Sequence, residues 1–180
     1  PAEIFFRPDS VDELASFLRF FKKQKEKINI IGAGSNTLIR EGGVEGITIK
    51  LSSKFSYTKL LEKEIIQVGA ATLQRVLSDF ATKNSLTGFE FLSCIPGSVG
   101  GGIKMNSGCY GEDISKIILS LEVMDQDGNV KELQKNQINF FYRKCDLEKN
   151  LIILSAKFQG HIFEKKDIEN KQIQLIQRKK

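Results

Sequence analysis

The sequence predicts an α+β fold with two lobes. Over about the first fifty residues the sequence predicts a strand, a helix and two further strands. This order is typical of a small sheet packed against one helix. After that segment the strand-like runs are joined mainly by turns rather than helices, which is typical of antiparallel pairing. Two glycine-rich segments interrupt these elements. We therefore expect one lobe at about 1–55 and a second at about 60–160.

The first lobe opens with a β-like run at 4–8. Ser10 and Glu13 then form the pattern of a capping box, which predicts the start of a helix. Apolar residues follow at helical spacing, namely Val11, Leu14, Ala15, Leu18 and Phe21. The apolar runs at 28–31 and 46–51 predict two more strands.

The second lobe begins with a predicted strand at 64–70. A helix is predicted from Thr72 to about Asn84, with one apolar side formed by Leu73, Val76, Leu77, Phe80 and Ala81. The segment 117–133 predicts a hairpin that turns at Asp127 and Gly128, and 151–159 predicts a strand. The polar tail has a helical period, in which Ile168, Ile173 and Ile176 are the residues expected to be buried.

Composition excludes several classes of protein. Hydrophobic residues make up 41% and charged residues 27% of the chain, as in soluble globular proteins, and no apolar run reaches the roughly 20 residues that span a bilayer. With His161 as the one histidine, a histidine-rich metal site is excluded and a Ser-His-Asp triad is disfavoured. The odd number of cysteines, without a CxxC pair, indicates reduced thiols.

The net charge of +5 does not indicate a nucleic-acid binder. The basic residues are spread along the chain except for Lys22, Lys23 and Lys25 on one helix and the terminal 178–180. They are not interleaved with aromatic residues, so a solvated surface is the better interpretation. A modest excess of positive charge also suits a protein that handles phosphorylated ligands.

The first glycine-rich segment, IIGAGSNTLI, follows a predicted strand. Glycine there allows backbone N–H groups to approach an anion, and Ser35 and Asn36 add side-chain donors. The Rossmann fingerprint is excluded because Thr37 occupies the position of its third glycine and no helix pattern follows. A plain tight turn remains an alternative for this segment taken alone.

The second segment, CIPGSVGGGIKMNSGCYG, has the GxxxxG spacing of a P-loop from Gly97 to Gly102. Ile103 stands where a P-loop has its lysine, and Lys104 is followed by Met105 rather than a hydroxyl residue, which argues against nucleoside triphosphate chemistry. The interspersed apolar residues indicate a loop packed inside the protein rather than a flexible linker. Two such backbone cradles predict a long ligand with a diphosphate at its centre.

The motifs GAGSNTLI, GFEFLSCIPGSVGGGIKMNSGCYG and FFYRKCDL, in this order, resemble the flavin-binding part of the UDP-N-acetylenolpyruvoylglucosamine reductase family, also called UDP-N-acetylmuramate dehydrogenases. The resemblance runs along nearly the whole chain from AEIFFRP. It implies the two-lobed FAD-binding fold of the vanillyl-alcohol oxidase type. It also implies a bacterial cytoplasmic enzyme of peptidoglycan precursor synthesis, which uses NADPH and non-covalent FAD to reduce the enolpyruvyl group of a UDP-sugar.

The resemblance also assigns site residues. Arg143 would be the catalytic cation that stabilises the enolate formed by hydride addition, and Tyr142 would bind the substrate beside it. The residues implied to bind FAD are Ile31, Gly32, Ala33, Gly34, Ser35, Asn36, Thr37, Leu38, Ile95, Pro96, Gly97, Ser98, Val99, Gly100, Gly101, Met105, Asn106, Gly108, Cys109, Tyr110 and Gly111. Cys109 stands where the family has a small residue, and we interpret it as a packed thiol rather than a covalent flavin link.

The family pattern continues into a third domain, with a GSxFKNP-like segment and a proton donor. That segment is not in this sequence, so we expect residues 1–160 to be the FAD-binding domain and 161–180 to begin the connection to a substrate-binding domain. Such a chain is expected to bind flavin better than it turns over substrate. Two alternatives stay open: another FAD oxidoreductase of the same fold, and a non-catalytic flavin- or nucleotide-binding module. The oligomeric state is not predicted.

Overall fold

The computed structural model describes residues 1–24 and 26–178. The predicted helical position of Lys25, and residues 179–180 of the predicted terminal segment, lie outside the described residues. The α-helices are α1 (Val11–Lys22), α2 (Gln74–Lys83), α3 (Val99–Lys104) and α4 (Lys165–Arg178). The strands are β1 (Ala2–Phe6), β2 (Ile28–Ile30), β3 (Val44–Ile49), β4 (Thr58–Glu62), β5 (Ile65–Gly69), β6 (Leu86–Thr87), β7 (Gly108–Cys109), β8 (Glu112–Asp113), β9 (Ile118–Met124), β10 (Val130–Gln134), β11 (Phe140–Phe141), β12 (Lys144–Cys145), β13 (Ile152–Gln159) and β14 (His161–Ile162). Short 3-10 helices occupy Ser53–Phe55, Glu90–Cys94, Ile114–Lys116 and Lys135–Gln137.

The first sheet has three parallel strands in the order β1-β3-β2. Helix α1 connects β1 to β2, as the sequence predicts, and its cap at Ser10 is present because the Ser10 hydroxyl accepts a hydrogen bond from the Glu13 backbone N–H at 3.1 Å. The Glu13 carboxylate accepts from the N–H of Asp9 at 2.7 Å, one residue earlier than in the predicted capping box. Leu14 and Leu18 are buried on the inner side of the helix.

The second sheet is antiparallel and has the order β10-β9-β13-β5-β4. The predicted hairpin at 117–133 is confirmed as β9 and β10. Its turn is fixed by the Asp125 carboxylate, which accepts hydrogen bonds from the backbone N–H groups of Asp127 at 2.8 Å and Asn129 at 2.9 Å, while Gly128 takes a left-handed conformation. The predicted strand at 151–159 is β13, which lies at the centre of this sheet.

The two sheets share apolar packing. Ile47 and Ile49 of the first sheet pack in one cluster with Met124, Ile152 and Leu154 of the second. A larger cluster is formed by residues between Ile66 and Phe158 and packs the second sheet against α2 and α3. The mixture of helices and strands agrees with the predicted α+β class. The division at 1–55 and 60–160 stays a prediction, because the core is continuous across it.

The tail forms a helix, as its period predicts, but its buried side is different from the prediction. Ile168 is buried, whereas Ile173 and Ile176 are exposed by 53% and 37%. Gln172 and Leu175 are buried instead, and Gln172 donates a hydrogen bond to the Ser78 hydroxyl of α2 at 2.7 Å. Among the described residues no helix is both long and apolar enough to cross a membrane.

Candidate functional site

The two glycine-rich segments meet in the folded protein. The Ser35 hydroxyl donates a hydrogen bond to the Pro96 carbonyl oxygen at 3.1 Å, and the Asn36 side-chain amide donates to the Met105 sulfur at 3.1 Å. Between the segments lies a cleft of about 470 Å³, which we call the glycine cleft. It is lined by Gly32, Ala33, Gly34, Ser35, Asn36, Thr37, Gln74, Ile95, Pro96, Gly97, Ser98, Gly101, Gly102, Met105, Ser107 and Arg143.

The lack of a side chain lets the two segments approach closely at two glycine positions. A Cβ atom on Gly32 would lie 2.5 Å from the Ser98 hydroxyl oxygen. Gly97 has a φ of +122°, and a Cβ there would lie 2.8 Å from the Ser35 hydroxyl oxygen. A side chain at either position would have to displace a serine hydroxyl, and at Gly97 it would also have to adopt a strained backbone conformation.

The run Gly100, Gly101 and Gly102 lies in the short helix α3, whereas the sequence predicted irregular backbone. Each glycine faces a different neighbour. A Cβ on Gly100 would lie 3.0 Å from that of Ala70, and one on Gly102 would lie 2.8 Å from the Gln74 side chain. A Cβ on Gly101 would have only the Ser98 hydroxyl oxygen in contact, at 3.4 Å. Gly101 is thus the one of the three that leaves room for a ligand in the glycine cleft.

Gln74 is a residue of the cleft that the sequence analysis missed. Its side chain is 2% exposed, and its Oε1 accepts a hydrogen bond from the Ser107 hydroxyl at 2.6 Å. The predicted apolar side of α2 is partly wrong, since Leu73 and Val76 are exposed by 49% and 45%. The buried side carries residues at helical spacing: Gln74, Leu77, Ser78 and Ala81. The sequence signal that could have identified Gln74 is its helical spacing from Leu77 and Ala81, which places it on the same side of α2.

Asn106 secures the second segment but does not line the cleft. It is buried in a left-handed conformation with a φ of +41°. Its side-chain amide donates to the Phe141 carbonyl oxygen at 3.1 Å, and its side-chain oxygen accepts from the Ser115 N–H at 3.0 Å. Asn106 therefore joins the segment after α3 to strand β11, which precedes Arg143.

Arg143 reaches the cleft from a tight turn. Strands β11 and β12 pair directly, so Tyr142 and Arg143 form the connection between them, and Arg143 has a left-handed φ of +56°. Arg143 lines the cleft, whereas Tyr142 is 91% exposed and has its ring centroid 5.6 Å from the Arg143 guanidinium carbon. The turn therefore delivers a cation to the rim of a cleft lined mainly by backbone.

The Lys104 side chain does not line the glycine cleft, as a P-loop lysine would line its phosphate site. Its ammonium group donates hydrogen bonds to the carbonyl oxygens of Leu147 at 2.5 Å and Glu148 at 3.4 Å. Burial lowers the pKa of Lys104, and the nearby thiol of Cys145 and carboxylate of Asp146 partly oppose this shift. Lys104 is thus used to hold the 147–148 backbone, in agreement with the exclusion of a P-loop.

Several predicted site residues lie outside the glycine cleft. Ile31 directly follows β2, and its backbone N–H donates to the Ile49 carbonyl oxygen of β3. Leu38 is 94% exposed. Val99 is buried, and a Cβ on Gly100 would point at Ala70. Residues 108–111 form β7 and the turn that leads into β8. Cys109 donates from its sulfur to the Phe91 carbonyl oxygen at 3.4 Å, which agrees with a packed thiol. The ligand contacts predicted for all these residues stay predictions.

Cys109 and Tyr110 line a second cavity of about 510 Å³ beside α4. Its wall contains the Glu90 carboxylate, which is 2% exposed and lies 3.3 Å from the Lys171 ammonium. Burial raises the pKa of Glu90, but hydrogen bonds from Thr87 at 2.6 Å and Gly88 at 2.8 Å, together with Lys171, outweigh it. The pKa of Glu90 is therefore below its ordinary value of 4.5.

No group of three or more His, Cys, Asp or Glu side chains in the described part of the chain is arranged to hold a metal ion. The glycine cleft instead offers backbone, hydroxyl and amide groups with one guanidinium. These are groups that bind an elongated anionic ligand by hydrogen bonds.

The fold agrees with comparisons to known proteins. A family model described as "FAD binding domain" matches residues 2–134. The UDP-N-acetylenolpyruvoylglucosamine reductase of Pelagibacter ubique (strain HTCC1062) is 44% identical over 177 residues, which cover 98% of this chain and 58% of that protein. The enzyme of the same name from Rickettsia canadensis (strain McKiel) is 46% identical over 169 residues, 94% of this chain and 56% of that protein.

A crystal structure of UDP-N-acetylenolpyruvylglucosamine reductase from Thermus caldophilus superposes with a TM-score of 0.84 at 26% identity. The superposition covers 97% of this chain and 61% of that one. The chain thus spans a little under three fifths of the length of the curated relatives it matches. The resemblance stated from the motifs is confirmed by these relatives. The chain belongs to the FAD binding domain family, and within that family it is similar to the flavin-binding part of UDP-N-acetylenolpyruvoylglucosamine reductases.

Proposed function

We propose that the protein carrying this chain is an NADPH-dependent flavoenzyme that reduces UDP-N-acetylglucosamine enolpyruvate to UDP-N-acetylmuramate. Residues 1–160 would hold FAD non-covalently, and 161–180 would lead into a substrate-binding domain. The observation that carries the proposal is the junction of the two glycine segments, Ser35 to Pro96, around one cleft that also contains Arg143. The names of the relatives support this proposed activity, and the share of their length that the chain covers supports a further domain in the whole protein.

The cleft has the properties that a flavin dinucleotide requires. The Gly101 position is open towards it, and Gly34 has no heavy atom within 4 Å of its would-be Cβ. Backbone can therefore come within hydrogen-bond distance of a diphosphate at both walls. Ile95 and Met105 supply apolar surface for a ring system beside these polar groups. Of the predicted FAD residues, those lining the cleft are the ones we propose as direct contacts.

When bound, FAD would supply hydride transfer between the nicotinamide of NADPH and the enolpyruvyl double bond. Arg143 would bind the carboxylate of the enolpyruvyl group and stabilise the negative charge that grows there during reduction. Its left-handed turn, held by the bond from Asn106 to Phe141, would orient the guanidinium before substrate arrives. Tyr142, stacked on that guanidinium, would contact the sugar nucleotide from the open side.

The setting follows from this activity. A UDP-sugar and NADPH are small cytosolic molecules, so we propose the bacterial cytoplasm as the location and peptidoglycan precursor synthesis as the process. No nucleic-acid or membrane partner is proposed.

The test uses the full-length protein. Purified protein should show flavin absorbance bands that persist through desalting and are released by denaturation. It should then oxidise NADPH only when UDP-N-acetylglucosamine enolpyruvate is added. A protein that retains flavin but never consumes NADPH with this substrate would be the non-catalytic flavin-binding alternative. A protein that retains no flavin and gains none from added FAD would overturn the proposal.

A further inference from the structure

We propose that Gln74 donates its side-chain amide N–H to the anionic part of the ligand held in the glycine cleft, and that a neutral amide is required there. The inference rests on the proposed function, in which that anion is the FAD diphosphate. Nothing in the glycine-segment motifs indicates this residue, because it lies on α2 between them.

The position of Gln74 places it at the junction of the cleft walls. Its backbone N–H donates to the Gly97 carbonyl oxygen at 3.0 Å, so the first turn of α2 is attached to the second glycine segment. Its side-chain carbon Cδ would be 2.8 Å from a Cβ on Gly102. Gln74, Gly97, Gly102 and Ser107 all line the cleft.

The orientation of the amide follows from its bond to Ser107. The Ser107 hydroxyl donates to Oε1 at 2.6 Å, which leaves Nε2 on the other side of the amide, towards Gly97. A Cβ on Gly97 would lie 3.6 Å from Nε2. Among the hydrogen bonds of the described residues, none is donated by Nε2. Gln74 is 98% buried as a whole, and its Nε2 makes no hydrogen bond to the described residues and lies beside Gly97 of the cleft lining, where a bound acceptor would satisfy it.

The charge of this side chain matters more than its shape. Glutamate has nearly the same volume, but its carboxylate cannot donate and would lie beside the anion in a poorly hydrated wall. Methionine has a similar length and no charge; it removes the Nε2 donor and also the Oε1 acceptor of the Ser107 hydroxyl, without adding repulsion. The two replacements therefore separate the loss of a hydrogen bond from the gain of repulsion.

The experiment measures FAD affinity by flavin fluorescence titration of the full-length protein after flavin removal. We compare the unmodified protein with Gln74→Glu, Gln74→Met and the control Gln172→Glu. Gln172 is also a buried glutamine, bonded to Ser78 one turn further along α2, and it does not line the cleft. Gln74→Glu should weaken FAD binding by about tenfold or more, and Gln74→Met by a smaller factor. Gln172→Glu should leave the affinity unchanged.

Thermal unfolding of the flavin-free variants separates binding from folding. Both Gln74 variants should be less stable than the unmodified protein, because one buries a charge and the other leaves the Ser107 hydroxyl without its acceptor. FAD affinity is therefore compared at a temperature at which every variant is folded. Equal FAD affinity in the unmodified protein and Gln74→Glu would overturn the inference while leaving the proposed function intact. If Gln74→Glu does not fold, undiminished affinity in Gln74→Met would overturn it. If the unmodified protein binds no FAD, the proposed function itself fails.

Discussion

The hydroxyl of Ser35 and the carbonyl oxygen of Pro96 lie 3.1 Å apart in a hydrogen bond that joins segments 61 residues distant in sequence. Ser35 is on the first sheet's side of the cleft and Pro96 precedes α3, so the bond links the two halves of the fold. The glycine cleft is lined by residues of both segments. Binding at the cleft therefore depends on how closely these two backbones approach.

The first prediction concerns that approach. Gly32→Ala should lower the free energy of unfolding by about 1 kcal/mol, because its Cβ would displace the Ser98 hydroxyl that caps α3 through Gly101 N–H. In a Ser98→Ala background the same change should cost little, since the remaining Cβ would be 3.8 Å away. Urea unfolding of the four proteins in this double-mutant cycle measures the coupling. Strictly additive costs would contradict the contact.

Gly101→Val tests the ligand space. A Cβ here has room in the protein, so the fold should survive while the side chain fills the cleft and abolishes FAD retention. The comparison is Gly102→Val, whose Cβ would lie 2.8 Å from the Gln74 side chain and should destabilise the protein by about 1–3 kcal/mol. Flavin absorbance after desalting and the melting temperature are measured for both. Full flavin retention in Gly101→Val would contradict the proposed position of the cofactor.

Arg143→Ala should separate binding from turnover. We expect flavin to be retained and the rate of substrate reduction to fall by about 10²-fold or more, because the cation that meets developing negative charge is removed. Lys144→Ala is the control, since Lys144 is the exposed neighbour and does not line the cleft. Stopped-flow reoxidation of the reduced protein by substrate gives the rate. Equal rates in Arg143→Ala and Lys144→Ala would remove Arg143 from the chemistry.

Glu90 should make the fold sensitive to acid. Its pKa is lowered in the folded state, so its stabilising contribution is complete above the ordinary value of 4.5 and is lost as the pH falls through the lower, folded value. Glu90→Gln should remove part of this dependence. The difference in unfolding free energy between the two proteins, followed from pH 7 to below pH 4.5, should shrink as the pH falls. A difference that does not change with pH would show that the carboxylate charge is not used.

Thr48 offers a prediction about stability alone. It is 5% exposed in β3, and its hydroxyl oxygen has no hydrogen-bond partner within the described part of the chain. Thr48→Val should therefore raise the free energy of unfolding by about 1 kcal/mol. Thr72→Val is the matched control, because the buried Thr72 hydroxyl donates to the Tyr57 carbonyl oxygen at 3.1 Å and accepts from the Tyr57 N–H at 3.0 Å. The control should be destabilised, and a stabilised Thr72→Val would refute the reasoning.

The elements that the sequence predicted well are those with strong local signals. Ser10 marks the start of α1, and the Asp127–Gly128 turn marks the hairpin, because each depends on neighbours within a few residues. The two glycine segments were predicted to hold a ligand, and the fold brings them together. That the segments face each other could not be read from either one, since it depends on contacts between distant parts of the chain.

The errors arise where tertiary packing overrides a local pattern. On α2 and α4 the apolar residues Val76 and Ile173 are exposed, while the glutamines Gln74 and Gln172 are buried. Each glutamine has a hydroxyl partner, Ser107 or Ser78, supplied from elsewhere in the chain. A rule that places every apolar residue inward cannot anticipate such pairs. The position of Gln74 in the cleft was missed for this reason.

The central place of β13 in its sheet has a consequence for biosynthesis. Strand β13 pairs with β5 on one side and with β9 on the other. During synthesis, β5 can pair with β4, but its other edge stays unpaired until residues 152–159 have left the ribosome. Until then the chain that carries both glycine segments has an unpaired strand and exposed core residues, which are the features that chaperones recognise. The glycine cleft can therefore be completed, and the proposed cofactor bound, only late in the synthesis of the chain.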